Sequence, residues 1–322
     1  MYECRVERDS VTEYGERLTT VLLTLPRIVL AELNTHRVFS RSSASSRAIP
    51  VEKMIARVKE DPFFPVYWGK NQKGMQAEQE LSADEIQACR QVWLFAAEAA
   101  VHHARALLAI GVHKQITNRL LEPFLWHTVI ITATEWSNWD HLRVDKEAQP
   151  EIRKGAEMVL DCRNGSRPKL LSETEWHLPF GAPDDRELLA ATYSPSPIVM
   201  NPPPIEEDLV KISVGRSARV SYLNHDGKRD LADDLGLSSR VLKSGHMAPW
   251  EHVARPMTPA ERIQFHQTRW TARPNRRLAD VSSYFAEDWL AVGSTHFLGN
   301  FNGWVQARKR IYGEWDVKAF EK

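Results

Sequence analysis

The chain has 322 residues, of which 43% are hydrophobic and 26% are charged, as is usual for a soluble globular protein with a substantial core. Acidic and basic side chains are equally numerous, with 42 of each. This balance disfavours a surface that coats polymeric nucleic acid, so any basic site must be local. Free nucleotides suit such a chain better than polymers do.

Cysteine usage and hydropathy limit the other classes of protein. Cys4, Cys89 and Cys162 lie far apart without C-x-x-C spacing, so neither a disulfide framework nor a zinc site is indicated. His102 and His103 lack partners at i+4 spacing, and no metal is expected. We find no apolar run of membrane-spanning length and no signal-peptide pattern, so a reducing cytoplasm is the expected location.

The N-terminal part of the chain alternates between strand and helix patterns. Leu18 to Leu25 is rich in Thr, Val and Leu, and predicts a strand that Pro26 stops. Ile28 to Asn34 predicts a short helix, and Val51 to Lys59 has helical spacing. Prolines and glycines in Asp61 to Gln79 predict an ordered loop.

The middle of the chain is predicted to be mainly helical. Acidic residues in the first turn predict a long helix from Ser82 to Ile110, with Gly111 as its C-cap. Lys114 to Leu125 predicts a short helix. His127 to Trp139 is predicted to be helical, although its β-branched residues also support a strand. Glu147 to Leu160 predicts a helix with one apolar face.

Prolines mark the plainest boundary in the chain. Tyr193 to Pro204 is too rich in proline for a helix or a central strand, and predicts a stiff connector. The expected organisation is therefore a first unit over 1-192, a connector over 193-210 and a second unit over 211-322.

The second unit has its own element pattern. Lys211 to Tyr222 predicts a strand or a helix entry, and Asp230 to Lys243 predicts a charged helix. A turn is expected over Gly245 to His252. Trp304 to Tyr312, which contains Arg308 and Arg310, predicts a last helical segment.

The densest group of anion-binding side chains lies between Thr35 and Arg47, which we call the signature stretch. It combines three arginines and a histidine with several hydroxyls, and it follows an apolar run that can bury itself. Arginine offers a planar fork to phosphate or carboxylate, and short hydroxyls can reach the same oxygens. A solvated loop rich in Ser and Arg is the alternative interpretation.

The signature stretch resembles the signature of the flavin-dependent thymidylate synthases, R-H-R-x-x-S-x-N-E-x-S-x-R. The matching positions are His36, Arg37, Ser40, Ser45 and Arg47. The sequence departs from it in having Thr35 at the first arginine and Ser42-Ser43 at the Asn-Glu pair. The run from His36 to Pro50 is also similar to a longer, phage-type branch of the family.

Two further regions resemble the same family. His141 to Ile152 is similar to its N-L-R-x-x-x-x-A-Q-x-E-I run, and another substrate arginine of the family aligns with Asn118 or Arg119. Ala218 to Tyr222 and Gly245 to His252 are similar to its A-R-V-S-Y and G-H-x-S-P-F-E-H motifs. In the family these two motifs precede the signature, whereas here they follow it.

The resemblance implies roles for individual residues. Ser45, Arg47 and Arg143 would bind the nucleotide substrate, with Arg143 and Ser45 as the catalytic residues. The cofactor, FAD, would be held by His36, Arg37, Asn138, Ser221 and His252. NADPH and methylenetetrahydrofolate are the implied co-substrates.

The fold implied by the resemblance is α/β (α+β), with an antiparallel sheet, long helices and rearranged or partly duplicated motifs. The implied activity is flavin-dependent one-carbon transfer to C5 of a pyrimidine deoxynucleotide, of the dUMP to dTMP type. Because Thr35 and Ser43 remove two polar contacts, Arg308 or Arg310 could replace them. A nucleotide hydroxymethylase and a non-catalytic flavin- or nucleotide-binding subunit are the alternatives.

The resemblance also bears on assembly and location. A homo-oligomer is expected, either a dimer or a tetramer, with a pyrimidine deoxynucleotide monophosphate as its partner. Neither polymeric nucleic acid nor a membrane is expected to bind. The cytoplasm would be that of a bacterium or of a phage-infected host.

Overall fold

The computed structural model describes residues 1–193, 205–221, 229–271 and 300–311. The main sheet of these residues has five strands in the order β3-β4-β2-β1-β5, and its pairs are antiparallel except for the parallel pair β1/β5. The expected mixed fold with an antiparallel sheet and long helices is therefore confirmed. The strands are β1 (Glu3–Val11), β2 (Arg17–Pro26), β3 (Ser40–Ser43), β4 (Trp126–Ala133) and β5 (Lys169–Leu170).

Strand β4 overturns the prediction of a helix over His127 to Trp139. The run Thr128 to Thr132 lies in the sheet between β2 and β3, and the helix α5 (Ser137–Arg143) begins only after it. β-Branched side chains have restricted rotamers and pack well on a pleated surface. Burial on both faces of β4 hides the alternating polarity that would have shown a strand.

One face of the sheet is apolar and packs on helices α1 (Leu30–Asn34) and α6 (Pro150–Gly165). Helix α6 covers the predicted range Glu147 to Leu160 only in part, because it begins at Pro150, where a missing N–H is tolerated. The sheet and helix residues of this core include Val21, Leu23, Leu25, Val129, Ile131, Ile152, Ala156 and Val159.

A second core joins helices α2 (Val51–Glu60) and α3 (Ala83–Ile110) to the segment that follows them. The long predicted helix is confirmed: Ser82 forms a capping box, and Gly111 ends the helix at φ 94°. The predicted helix Lys114 to Leu125 is divided into α4 (Lys114–Thr117) and a 3₁₀ helix, Asn118–Phe124.

The described residues from Trp176 onward, which we call the C-terminal part, cover the other face of the sheet. Its core includes Trp176, Val214, Met247 and Trp250. This part also contains a buried ion-pair network, in which Arg216 bonds both Asp185 (2.6 Å) and Asp234 (2.8 Å). The elements are α7 (Asp185–Thr192), α8 (Ile205–Val220), α9 (Leu231–Lys243), β6 (Ala254–Pro256), α10 (Pro259–Thr271) and β7 (Trp304–Gln306).

The predicted last helix, Trp304 to Tyr312, is wrong. Its first residues form β7, which pairs with β6, and a 3₁₀ helix, Ala307–Arg310, follows; Tyr312 lies outside the described residues. Trp304 is buried with Leu18 and Phe301. This burial beside a second strand outweighs the helical spacing of the isolated sequence.

The division into units remains a prediction. Most of the proline-rich run, 194–204, lies outside the described residues, and α8 begins at Ile205 inside the expected connector. Cores cross the expected boundary, since Trp176 packs with Val214, and Leu171 with Ala254. Within the described ranges no helix is both long and apolar enough to cross a membrane.

Candidate functional site

The signature stretch begins at the end of α1 and continues into β3, the edge strand of the sheet. His36 lies at this junction, and its ring is buried between the rings of Trp139 (4.8 Å between centroids) and Phe39 (5.7 Å). Trp139 belongs to α5, so the aromatic contacts bring α5 beside the signature stretch. The same packing places Asn138 within hydrogen-bonding reach of the His36 ring.

Arg143, at the end of α5, is fixed by three acceptors from the first segment. Its Nε donates to His36 Nε2 at 2.9 Å, and its Nη2 donates to Thr35 Oγ1 at 3.1 Å and to the Glu32 carbonyl at 3.4 Å. Nη1 has no hydrogen-bond partner in the described part of the chain. The guanidinium is therefore oriented by the protein and keeps two N–H groups for a ligand.

His36 is held in its neutral form by these surroundings. Burial, and then the positive charges of Arg143 and Arg41, lower the pKa of His36 to about 4. A neutral ring can accept the Arg143 Nε–H, whereas an imidazolium could not. The predicted site residues His36, Asn138 and Arg143 thus form one hydrogen-bonded cluster.

The loop after β3, residues 44–49, presents the predicted substrate-binding pair. Ser45 and Arg47 are exposed, and Arg47 forms no ion pair or hydrogen bond with other described residues. Buried Asn118 supports the loop from below, because its Nδ2 donates to the carbonyls of Ser46 (2.7 Å) and Ile49 (2.9 Å). Lys114 Nζ donates to a third carbonyl of the loop, that of Ala48, at 3.1 Å.

Of the two alternatives for the second substrate arginine, the structure gives Asn118 and Arg119 different surroundings. Asn118 is fully buried under the 44–49 loop, whereas Arg119 is exposed and pairs with Glu122 at 2.7 Å. Asn118 is thus the one that contacts the signature stretch, through backbone carbonyls. The sequence does not predict a contact of this kind, because the burial of the Asn118 amide is visible only in the folded structure.

His252 is fully buried, and both of its ring nitrogens are bonded within the protein. Nε2 lies 2.8 Å from Ser42 Oγ in β3, and Nδ1 lies 2.8 Å from Thr132 Oγ1 in β4. Burial lowers the pKa of His252 to about 3, so the ring is neutral at pH 7. The turn from Gly245 to His252, which resembles G-H-x-S-P-F-E-H, is therefore hydrogen-bonded directly to β3.

The remaining predicted residues form no hydrogen bond or ion pair with His36 or Arg143 among the described residues. Arg37 is exposed and forms no ion pair within the described residues. Ser221 follows the last turn of α8, where Val220 packs on Leu22 and Ile130 of the sheet. Arg308, offered as a replacement for lost contacts, pairs with Glu251.

The model of one protein family, described as thymidylate synthase complementing protein (Thy1), matches residues 7–168, half of the chain. The chain belongs to the Thy1 family. This confirms the family that the signature stretch indicates. The Thy1 match includes His36, the 44–49 loop and Arg143. The motifs that begin at Ala218 and Gly245 lie outside the match, so their rearrangement remains a prediction.

Two solved structures are also similar to the chain, both of a UMP/dUMP methylase, PolB, from Streptomyces cacaoi. The one bound with 5-Br UMP is 15% identical with a TM-score of 0.42, and the similarity covers 51% of this chain and 88% of that one. The one bound with 5-Br dUMP is 18% identical with a TM-score of 0.38, covering 46% and 66%. A comparison with curated proteins finds no match.

Two features of this region were not predicted from the sequence, namely the contacts of Thr35 and the burial of His177. Thr35 replaces an arginine of the signature, yet its hydroxyl accepts from Arg143 and donates to the Glu32 carbonyl at 2.7 Å. His177, fully buried, was not singled out at all. Among the described residues no cluster of three His, Cys, Asp or Glu side chains could hold a metal ion.

Proposed function

We propose that the protein catalyses flavin-dependent one-carbon transfer to C5 of a pyrimidine deoxynucleotide, of the dUMP to dTMP type. The carbon donor would be methylenetetrahydrofolate and the reductant NADPH, acting through FAD. One observation in particular supports this proposal: the Thy1 signature residue His36 orients Arg143 and leaves Nη1 free for a ligand. Membership of the Thy1 family supplies the nucleotide chemistry that this arrangement would serve.

Arg143 is proposed to hold the edge of the uracil ring. A guanidinium whose Nε and Nη2 are already bonded loses little freedom when Nη1 binds a carbonyl oxygen. C5 attacks an electrophilic carbon from an enolate-like form of the ring, in which negative charge is shared between C5 and that oxygen, and a fixed cation stabilises this charge more than it stabilises the neutral ring.

Ser45 and Arg47 are proposed to bind the nucleotide phosphate. Both are exposed, and Arg47 has no competing carboxylate among the described residues. A bidentate guanidinium contact with phosphate is short and strong, and a serine hydroxyl adds a neutral donor. Because Asn118 and Lys114 hold the loop carbonyls, the loop would be ordered before the phosphate arrives.

The donor set also fits a flavin dinucleotide. Arg37 is an exposed cation without an ion pair in the described part of the chain, which suits a pyrophosphate. His36 and Asn138, the other proposed contacts, lie beside it, and Ser221 completes the proposed set. His252, which the resemblance implied as a further contact, is fully buried with both ring nitrogens bonded within the protein, so it has no atom left for the flavin. Bound and reduced by NADPH, the flavin supplies the hydride that converts the transferred methylene group into a methyl group.

Product analysis tests the proposal. Purified protein is incubated with FAD, NADPH and methylenetetrahydrofolate, with dUMP and dCMP in parallel, and the nucleotides are identified by mass. We expect thymidylate from dUMP, together with a yellow protein whose flavin is bleached by NADPH. A hydroxymethyl nucleotide would indicate the hydroxymethylase instead, and colourless protein that binds nucleotide without turnover would indicate a non-catalytic subunit.

The Arg143→Lys variant assigns the expected activity to this site. Lysine keeps the charge and loses the planar fork, so kcat should fall by about 10²-fold while the protein still folds. Arg119→Lys is the matched control, because Arg119 is exposed and pairs only with Glu122 among the described residues. Equal activity of both variants would contradict the role of Arg143.

We also propose that the protein is a homo-oligomer, with a dimer as the expected state. The outward side of α3 exposes Val92 (67%), Phe95 (62%) and Ile110 (77%), an apolar surface that a second copy would cover. Light scattering is expected to give a dimer for the unmodified protein and a smaller species for Phe95→Glu. A fully active monomer would contradict this proposal.

A further inference from the structure

We propose that His252 is a positioning residue, which through Ser42 fixes strand β3 and with it the loop that presents Ser45 and Arg47. This inference rests on the proposed function, because it assigns a role toward the same nucleotide. Its basis is a continuous chain of buried hydrogen bonds that joins the C-terminal part to strand β3. We call it the hydroxyl chain, and its members in order are Ser10, His177, Thr20, Thr132, His252 and Ser42.

The hydroxyl chain runs without a gap across four strands of the sheet, from β1 through β2 and β4 to β3. His177 bonds Ser10 Oγ at 2.9 Å and Thr20 Oγ1 at 2.8 Å, and Thr20 bonds Thr132 at 2.7 Å. His252 then bonds Thr132 and Ser42, each at 2.8 Å. All these side chains are buried, so no water competes for their bonds, and loss of one partner leaves another unsatisfied.

Strand β3 needs such an anchor more than the long strands β1, β2 and β4 do. It has only four residues and lies at the edge of the sheet, with β4 as its one neighbouring strand among the described residues. Short edge strands are held weakly by their backbone ladder. Three side-chain bonds add to it: His252 to Ser42, Gln306 Nε2 to Ser40 Oγ at 3.0 Å, and Arg41 Nη1 to the Leu33 carbonyl at 2.9 Å. The first two come from the C-terminal part.

The geometry of the imidazole explains why a histidine suits this place. Ser40 is opposite Thr132 in the β3/β4 register, so Ser42 and Thr132 lie diagonally across the two strands. The two ring nitrogens of His252 span that diagonal with one rigid group. Ser43 follows Ser42 and leads into the 44–49 loop, so a shift of β3 would move Ser45 and Arg47 together.

Two substitutions of His252 separate positioning from bulk stability. In His252→Gln the side-chain amide reaches the place of Nε2 and keeps the bond to Ser42, while it loses the bond to Thr132. In His252→Asn the shorter amide keeps the bond to Thr132 and loses the one to Ser42. Each variant removes one buried hydrogen bond, so both should lower the unfolding midpoint by similar amounts.

Calorimetric titration with dUMP gives the first measurement. Ser42→Ala and His252→Asn are expected to weaken dUMP binding by about fivefold to tenfold, the ratio that one buried hydrogen bond contributes, and His252→Gln by less than about twofold. Thr128→Val is the matched control, since it removes the Thr24–Thr128 hydroxyl bond (2.9 Å) between β2 and β4, which involves no side chain of β3. It should lose stability and keep its affinity.

Hydrogen exchange of the free protein gives a second measurement that needs no nucleotide. Amides of residues 40–49 should exchange faster in Ser42→Ala and His252→Asn than in His252→Gln and Thr128→Val. Equal exchange in the two His252 variants, or equal dUMP affinity, would overturn the inference. If the unmodified protein does not bind dUMP while the exchange pattern appears, the proposed function fails and the positioning role stands.

Discussion

The two faces of the main sheet are built in different ways from the same strands. On one face Val21, Leu23 and Ile131 pack against α6 by apolar contact alone. On the other, Thr20 and Thr132 of the same two strands bond the buried histidines of the C-terminal part. Alternate residues of a strand point to opposite faces, so both surfaces are encoded in one run of sequence.

The two faces differ in how strictly the positions of their side chains are constrained. Apolar packing is non-directional, and a core accepts substitutions that keep its volume. A hydrogen-bonded chain is directional, and each member must find its partner at one distance and angle. We therefore expect the apolar face to determine stability, and the hydroxyl chain to determine where the C-terminal part and β3 lie.

Acid should produce the largest difference between the faces. The pKa of His252 is lowered to about 3, and burial also lowers that of His177, so the unfolded chain binds the protons more tightly than the folded one. The contribution to stability is complete above about pH 6.5 and is lost as the pH falls, by about 1.4 kcal/mol per pH unit for each histidine.

A double variant isolates the two histidines. His36 and His127 also have lowered pKa values, about 4 and about 3, and they contribute to the acid sensitivity of every variant. Between pH 6 and pH 5 the free energy of unfolding, measured with urea, should fall by about 2.5 kcal/mol less in His177→Gln/His252→Gln than in the unmodified protein. An unchanged slope would show that the rings are not buried neutral.

Truncation on the apolar face is expected to have the next largest effect. Leu23 is fully buried beside α6, and Leu23→Ala should lower the free energy of unfolding by about 2–5 kcal/mol, through lost transfer energy and a residual cavity. Urea unfolding at pH 7.5 measures it. Leu188→Ala is the control, because Leu188 is exposed on α7 and its truncation should change the value by less than about 0.5 kcal/mol.

Breaking the hydroxyl chain at its centre should have a smaller effect on stability. Thr132→Val keeps the shape of the side chain and leaves Thr20 and His252 Nδ1 each without one partner, at a cost of about 1–3 kcal/mol. Thr128→Val should cost less, since the Thr24–Thr128 pair is only partly buried and water can replace the lost bond. Equal losses in the two variants would contradict a special role for the hydroxyl chain.

Local sequence rules predict the parts of the fold that local interactions determine. The capping box at Ser82 and the glycine at 111 define α3 without reference to the rest of the chain. Strand β4 escapes such rules, because Thr128 to Thr132 is a strand only through pairing with β2 and β3. Likewise, Trp304 becomes a strand residue because β6 lies beside it.

The candidate site divides in the same way. The signature stretch identifies His36, and the run His141 to Ile152 identifies Arg143, because residue type and spacing are visible in the sequence. The hydrogen bond between these two residues depends on the packing of α5 against the end of α1, and no sequence pattern predicts it. The contact of Ser42 with His252 joins residues 210 positions apart, and only the folded chain places them together.

The outer edge of the sheet should give the smallest effect and the finest comparison. Ser40 and Ser42 are alternate residues of β3, both buried, and each forms a hydrogen bond with one side chain of the C-terminal part. Ser40→Ala should lower the free energy of unfolding by about 0.5–1.5 kcal/mol, because Gln306 Nε2 retains the Glu251 carbonyl at 2.9 Å. Ser42→Ala should lower it more, since His252 Nε2 has no other partner among the described residues. Urea unfolding of the two alanine variants side by side measures this difference, and a larger loss for Ser40→Ala would show that Gln306, rather than the hydroxyl chain, anchors β3.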